Sequence, residues 1–513
     1  MSFGTVLSAA LHGLEVKFIQ VEADLSNGLP MFHMVGYLST EVKEAGERVR
    51  TAIRNSGIQL PAKRTVINLS PGNDRKRGTS FDLPIALAIL VSLGIIEEAL
   101  LEHTLVIGEL SLDGKIRKVP GILPIVDAAR KRGCKRCILP RENMREGALI
   151  EGIEVTGTHT LRELLQCLSG SRKFPETEEK EPSPCNNMPD TKGLDFCEIK
   201  GQEGVKRAAE VAVAGGHNLL LLGPPGSGKS MIAKRIPSIL PSLTVEESME
   251  ITKIYSITGL LENEYPLITK RPFREVHHTV SRAALIGGGT VPKPGEITLA
   301  NGGVLFLDEL TEFKRSVLEV LRQPLEERKI QLIRNQGTYI YPADFMMIAA
   351  ANPCPCGNYP DYEKCTCTPS QIQNYIGKIS QPFLDRIDIC IESPKVQYEA
   401  LHNGSGSEPS EQIRERVCRA REIQTKRYAG ISARSNGALS PDEIQTYCIL
   451  DSGVEEIVRK AFDALDLTAR TYHKILKVAR TIADLDGAEK IQKMHLREAI
   501  GYRTLDKKYW GRE

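Results

Sequence analysis

The chain has 513 residues, 41% of them hydrophobic, enough for about two to four domains with sizeable cores. Its net charge of +2 excludes binding to nucleic acid or membrane through bulk charge, so any such contact must come from local patches. Met1–Gly13 carries no basic leader ahead of an apolar run. The most apolar stretch, Leu83–Ile96, is interrupted by Pro84, Ser92 and Gly94 and is too short to span a bilayer. A buried helix, a cytoplasmic location and no membrane partner are therefore expected. Twelve cysteines in such a chain point to reduced thiols or metal rather than to a disulfide framework.

Residues 1–168 alternate strand-like and helix-like segments. Val16–Ala23 alternates as a half-buried strand does, and Thr65–Leu69 reads as another strand. Glu41–Asn55 spaces its apolar residues three or four apart, as a helix requires. Pro84–Leu93 reads as a helix with proline in its first turn. Thr104–Leu110 and Cys137–Pro140 read as strands bracketing a helix at Ile122–Arg132.

Three stretches, Gly78-Thr-Ser80-Phe-Asp-Leu-Pro, Ile107-Gly-Glu-Leu-Ser-Leu-Asp-Gly-Lys and Val119-Pro-Gly-Ile, precede Cys137-Ile-Leu-Pro-Arg-Glu-Asn143. Together they resemble the proteolytic domain of Lon proteases across most of residues 65–145. Such a protease needs a serine nucleophile and a lysine to take its proton. Ser80 stands at the nucleophile's place, but Leu123 stands at the lysine's, two residues after Gly121, and leucine is no base. The resemblance therefore implies a Lon-like α+β fold without proteolysis. Similar domains accompany recombination ATPases and help bind DNA. Lys63, Arg64, Arg75, Lys76 and Arg77 are either phosphate contacts or a solvated basic loop.

Ser169–Asp195 is expected to be a linker, with Pro175, Pro182, Pro184 and Pro189 set among acidic residues and serine. A second domain is expected over 196–396. Gly201–Ala212 begins a helix ahead of its first strand. The apolar run Leu219–Leu222 then leads into Gly223-Pro224-Pro225-Gly226-Ser227-Gly228-Lys229-Ser230, which reads GxxxxGK[ST], the phosphate-binding P-loop. Its backbone N–H groups and the following helix N-terminus suit a polyphosphate. Lys229 is expected to reach the β- and γ-phosphates of ATP, and Ser230 to bind Mg²⁺. Gly303-Val-Leu-Phe-Leu-Asp308-Glu309 is a Walker B strand. Asp308 is expected to hold Mg²⁺ and Glu309 to act as general base on the attacking water.

Met346–Ala351 reads as a buried strand ending in Asn352, which either orients the lytic water and senses the γ-phosphate or only starts a turn. In Phe383-Leu-Asp-Arg386-Ile-Asp388, the arginine either reaches a neighbouring subunit's ATP or pairs with Asp385 or Asp388. P-loop, Walker B, strand-end Asn and LDR together resemble an AAA+ ATPase. His277–Gly289 and Lys293–Gly303 resemble the ATPase subunit of magnesium chelatase. The whole layout is similar to the Mg-chelatase-like YifB/ComM family: multidomain α/β, with a Lon-like leading domain, an AAA+ core and an all-α lid at 397–513. That resemblance implies a ring, a hexamer, that hydrolyses ATP and drives branch migration of DNA in recombination and natural transformation. Rival readings are a chelatase subunit driving metal insertion, a Lon-like protease, and a DNA scaffold without enzymatic activity.

Lys329–Arg334 and Thr338–Tyr341 alternate around Asn335-Gln-Gly337 as a hairpin. In related rings such a hairpin points into the pore, where Lys329 and Arg334 would touch DNA; otherwise it is a solvated support. Cys354, Cys356, Cys365 and Cys367 lie close enough in sequence to hold one structural Zn²⁺, or to remain four reduced thiols. The stretch 402–409 reads as a flexible link. In the lid, Glu411–Lys426 is helical and Ser440-Pro-Asp-Glu443 is a capping box. Leu467-Thr-Ala-Arg470 opens a further helix. Arg470 matches the lid arginine that contacts ATP of its own subunit, and Lys474, Lys477 and Arg480 read as a solvated face.

Overall fold

A computed structural model describes residues 3–175, 193–289, 292–334, 337–396, 398, 408–451, 453–465 and 468–510. The linker centre at 176–192, the turn residues Asn335 and Gln336, the link at 401–407 and Leu467 fall outside these. The chain forms two compact units, neither continuous in sequence. The first comprises Met1–Asn187, Val245–Thr269 and Ile333–Ile340; the second comprises Met188–Thr244, Lys270–Leu332 and Tyr341–Glu513.

The first unit holds a sheet of β1 (Phe3–His12), β2 (Glu15–Ser26), β3 (Met31–Val35), β4 (Arg64–Ser70), β5 (Thr104–Val106), β8 (Arg136–Pro140) and β9 (Glu154–Thr158). Its order is β3-β4-β2-β1-β5-β8-β9. β1 and β2 pair antiparallel from Phe3↔Asp24 to His12↔Glu15. The most apolar stretch forms the helix Asp82–Ser92, every residue of it buried, so it shows no polar face. No helix of the described residues is long and apolar enough to cross a membrane.

Thr104–Leu110 is not one strand. β5 stops at Val106, and Glu109–Leu110 (β6) pairs instead with Ile116–Arg117 (β7). The switch occurs because Gly108 is taken by the chain entering the buried helix: its N–H donates to Ser80 O and its carbonyl accepts from Leu83 N, both at 3.0 Å. The segment Val245–Thr258 is a helix of this unit. Lys253 Nζ reaches Asp127 at 2.6 Å, and Ser256 donates to Glu146.

The second unit is built on β10 (Leu219–Leu222), β11 (Phe273–Val276), β14 (Val304–Leu307), β17 (Met346–Ala351) and β18 (Ile389–Glu392), all parallel in the order β11-β14-β17-β10-β18. This unit also holds the short pair β12 (Gly287–Gly288) with β13 (Lys293–Pro294); a further pair, β15 (Lys329–Arg334) with β16 (Gly337–Pro342), has its outer part, Ile333–Ile340, in the first unit. β10, β14 and β17 are buried throughout, as a parallel sheet covered on both faces requires. One hydrophobic core runs from the sheet into helices Ser410–Arg427, Pro441–Tyr447, Ala469–Leu485 and Lys493–Gly501. The capping box is formed: Ser440 Oγ accepts from Glu443 N, and Glu443 Oε2 accepts from Ser440 N at 2.7 Å.

Candidate active site

β10 delivers Gly223–Ser230 to the N-terminus of the helix Lys229–Arg235. It lies between β17 and β18, both later in sequence, and the crevice at the carboxyl ends of such strands is where open α/β sheets take ligands. Gly226 and Gly228 have φ of +76° and +88°, accessible at no steric cost only to glycine. Gly223 is needed for a different reason: a Cβ there would stand 2.2 Å from Ser393 O.

Lys229 Nζ folds back onto its own loop, donating to Gly223 O at 2.7 Å, Pro224 O at 2.9 Å and Asn352 Oδ1 at 3.2 Å. Burial lowers its pKa to about 8, opposed by Asp308. Its direct hydrogen-bond partners are all neutral oxygens, so an anion brought to this buried ammonium would complete it. Ser230 Oγ donates to Asp308 Oδ2 at 2.8 Å. This hydroxyl and carboxylate are adjacent hard oxygen donors, the set that suits Mg²⁺.

Asn352 reaches Lys229 because β10 and β17 pair Leu222 with Ala351, which puts Gly223 and Asn352 side by side. Glu309 takes φ +52°, uncommon for a residue other than glycine, and its carboxylate lies 3.2 Å from His278 Nδ1. Sequence reasoning assigned His278 no role. Its signal was the register: β11 pairs Val276 with Leu307, so two residues further on His278 stands beside Glu309.

Arg386 is 7% exposed and pairs neither with Asp385 nor with Asp388. Its guanidinium donates to Pro382 O and to the carboxylate of Glu326. Burial lowers its pKa, Glu326 opposes this, and Arg322 and Arg470 add to the lowering. Arg470, on an exposed first turn, lies 4.0 Å from the same Glu326. Two arginines thus converge on one carboxylate that the sequence did not single out.

Lys474, Lys477 and Arg480 are not a solvated face. Lys474 Nζ stands 3.1 Å from Asp388 and donates to Ile387 O at 2.9 Å; Lys477 donates to Gly437 O at 3.2 Å; Arg480 is 1% exposed and pairs with Asp484 at 3.0 Å. Their helix packs into the core on several sides, and buried carboxylates await the charges. Burial pushes the Asp388 pKa up, but Lys474, His217 and the N–H of Asn218 outweigh it and hold the carboxyl far below its usual range. Burial lowers Lys474 and His217.

In the second unit Lys329 Nζ lies 3.9 Å from Glu327 and is half exposed. Arg334 belongs to the first unit and donates to Ile333 O at 2.9 Å; there Tyr339 stacks on His12 at 4.1 Å. Among the basic residues expected to be either phosphate contacts or a solvated loop, Lys76 is neither: it is fully enclosed and donates to Pro71 O. Arg75 lies 5.5 Å over Tyr37. Leu123 is fully buried in the first unit's core, and its N–H donates to Glu146 at 2.9 Å; the position offers no base to Ser80.

The Sγ atoms of Cys354, Cys356, Cys365 and Cys367 lie within 4.8 Å of one another. Three of the separations are 3.4, 3.6 and 3.8 Å. A tetrahedron with Zn–S bonds of about 2.3 Å has edges of about 3.8 Å, so the four thiols fit one Zn²⁺. Among the described residues the other cysteines are also free thiols, most of them buried.

Three family models match: "Magnesium chelatase, subunit ChlI" over residues 195–401, "Subunit ChlI of Mg-chelatase" over 21–143, and "Magnesium chelatase, subunit ChlI C-terminal" over 407–503. The chain is 42% identical over 508 residues to "Competence protein ComM" of Haemophilus influenzae, covering 98% of both chains. It is 40% identical over 508 residues to "Uncharacterized protein YifB" of Escherichia coli, covering 99% of this chain and 98% of that one. A shorter likeness, 30% over 140 residues, covers 27% of this chain and 24% of "Lon protease 2" of Bacillus subtilis.

Proposed function

The chain belongs to the YifB/ComM family of Mg-chelatase-like AAA+ ATPases, and from that premise we infer that it is an ATP-driven ring motor acting on DNA, a branch-migration helicase of recombination and transformation. The observation that carries the ATPase half is the joined donor set: Lys229 held by the P-loop carbonyls and Asn352, with Ser230 bonded to Asp308. On ATP binding, Lys229 exchanges neutral carbonyls for phosphate oxygens. Ser230 and Asp308 would hold Mg²⁺, which would supply positive charge to the phosphates. Glu309 takes a proton from the attacking water. Its contact with His278 holds the carboxylate in reserve until nucleotide arrives.

Arg386 supplies positive charge to the ATP of a neighbouring copy, for which it must leave Glu326. Arg470 shares that carboxylate, which supports a role beside Arg386. The DNA half rests on the competence name of a relative and on the exposed cations Lys329 and Arg334 of the hairpin. A structural Zn²⁺ at the four cysteines completes the reading. The family descriptions also favour a chelatase subunit, which ATP-dependent metal insertion into a porphyrin would reveal. The deciding experiment is strand displacement on forked and four-way DNA. Wild type with ATP is expected to remodel a substrate that Lys229→Ala leaves intact. If wild type remodels neither, the helicase reading fails even where ATP is hydrolysed.

A further inference from the structure

The cysteine cluster and the nucleotide loop meet through one residue. Gly357 lies inside the cysteine loop with φ +79°, and a Cβ there would stand 2.3 Å from Pro225 Cδ and 2.8 Å from its Cγ. Pro225 belongs to the P-loop. At the other end, Cys354 is fully buried and follows Asn352 by two residues, and Asn352 accepts from Lys229 at 3.2 Å. The loop between Cys354 and Cys367 therefore bears on the P-loop at Pro225, and the strand end that leads into it bears on Lys229.

Within the cluster, backbone N–H groups point at sulfur. Tyr359 N donates to Cys354 Sγ at 3.4 Å, and Asn358 and Thr366 donate to Cys356. Such donors stabilise thiolates. The loop has little apolar core of its own; Tyr362 is 80% exposed. A short segment without a core keeps one shape only when something staples it.

We propose that the tetrathiolate is a regulatory metal site: a zinc-class divalent cation on Cys354, Cys356, Cys365 and Cys367 fixes Gly357 against Pro225 and Asn352 against Lys229, coupling metal occupancy to nucleotide affinity. This rests on the zinc reading above and adds a consequence to it. With the cation gone, no staple holds the four sulfurs together, and the loop relaxes away from the P-loop. Coupling of this kind is reciprocal, so nucleotide must tighten metal binding by the factor by which metal tightens nucleotide.

The test uses the full chain with its zinc content measured, then stripped by chelator, then restored with zinc. Affinity for a fluorescent ADP analogue is expected to weaken about tenfold on stripping and to return with zinc. Zinc affinity, read by equilibrium competition with a chromogenic chelator, is expected to rise by a similar factor with saturating ADP. Gly357→Ala, with its zinc content measured alongside, is expected to weaken the analogue, because the added carbon moves Pro225. Zinc bound but with analogue affinity unchanged on stripping overturns the coupling and leaves the structural zinc reading standing. No zinc on purification and no uptake overturns both. A zinc-loaded protein that binds no analogue at all would instead overturn the ATPase reading.

Discussion

Ser80 in the first unit and Lys229 in the second stand in stretches that resemble known catalytic motifs, yet their surroundings differ. Around Lys229 the complementary groups are present: the lysine donates to Asn352, Ser230 donates to Asp308, and burial lowers the lysine's pKa to about 8. Around Ser80 the complement is missing, because the lysine's place holds Leu123, packed fully into the core. A fold survives such a replacement readily, since leucine contributes more apolar burial than lysine. Proton transfer does not survive it. Resemblance of fold is thus carried by cores, and resemblance of chemistry by individual donors and acceptors.

The contrast can be broken or sharpened by measurement. Arg386→Ala is expected to lower ATP turnover about 10³-fold or more while leaving nucleotide affinity nearly intact. A mixture of Arg386→Ala with Lys229→Ala chains is expected to recover partial turnover, since one supplies the pocket and the other the arginine. Glu309→Gln is expected to lower turnover about 10²- to 10⁴-fold with ATP still bound, checked by single-turnover hydrolysis and nucleotide binding. Lys474→Met would leave Asp388 without its buried cation and is expected to cost about 3–5 kcal/mol in denaturant unfolding.

A smaller effect concerns pH. Free Lys229 titrates at about 8, and bound phosphates favour its charged form. Above pH 8 binding must therefore take up a proton, so affinity is expected to fall with rising pH, by at most about tenfold per unit. Titrations of a fluorescent nucleotide between pH 7 and 9.5 would show it, and Lys229→Arg, which stays charged, is expected to flatten the slope. Ser80→Ala is expected to change nothing: no casein cleavage before or after, and unaltered ATP turnover. Cleavage by wild type that Ser80→Ala abolishes would erase the contrast.

Much of the site was legible because its chemistry is contiguous. The P-loop spans Gly223–Ser230, the Walker carboxylates are neighbours, and the four cysteines fall within one short loop. Reading Lys474, Lys477 and Arg480 as solvated failed because charged residues on a helix do not announce that carboxylates are buried opposite them. Likewise Thr104–Leu110 looks like one strand until Gly108 is seen to serve the helix chain.

By itself the sequence determined what neighbouring residues settle among themselves: the glycine-dependent phosphate loop, the capping box at Ser440, the buried helix at Asp82–Ser92 and the close grouping of four cysteines in one short loop. Only the tertiary structure decided which distant groups meet. The β11–β14 register put His278 beside Glu309, Glu326 gathered Arg386 and Arg470, and the segment Val245–Thr269 joined the first unit. The physical reason is one of range. Backbone conformation and capping are fixed by interactions across a few residues, whereas strand order and register are chosen by burial over the whole chain, and they place side chains that no local pattern relates.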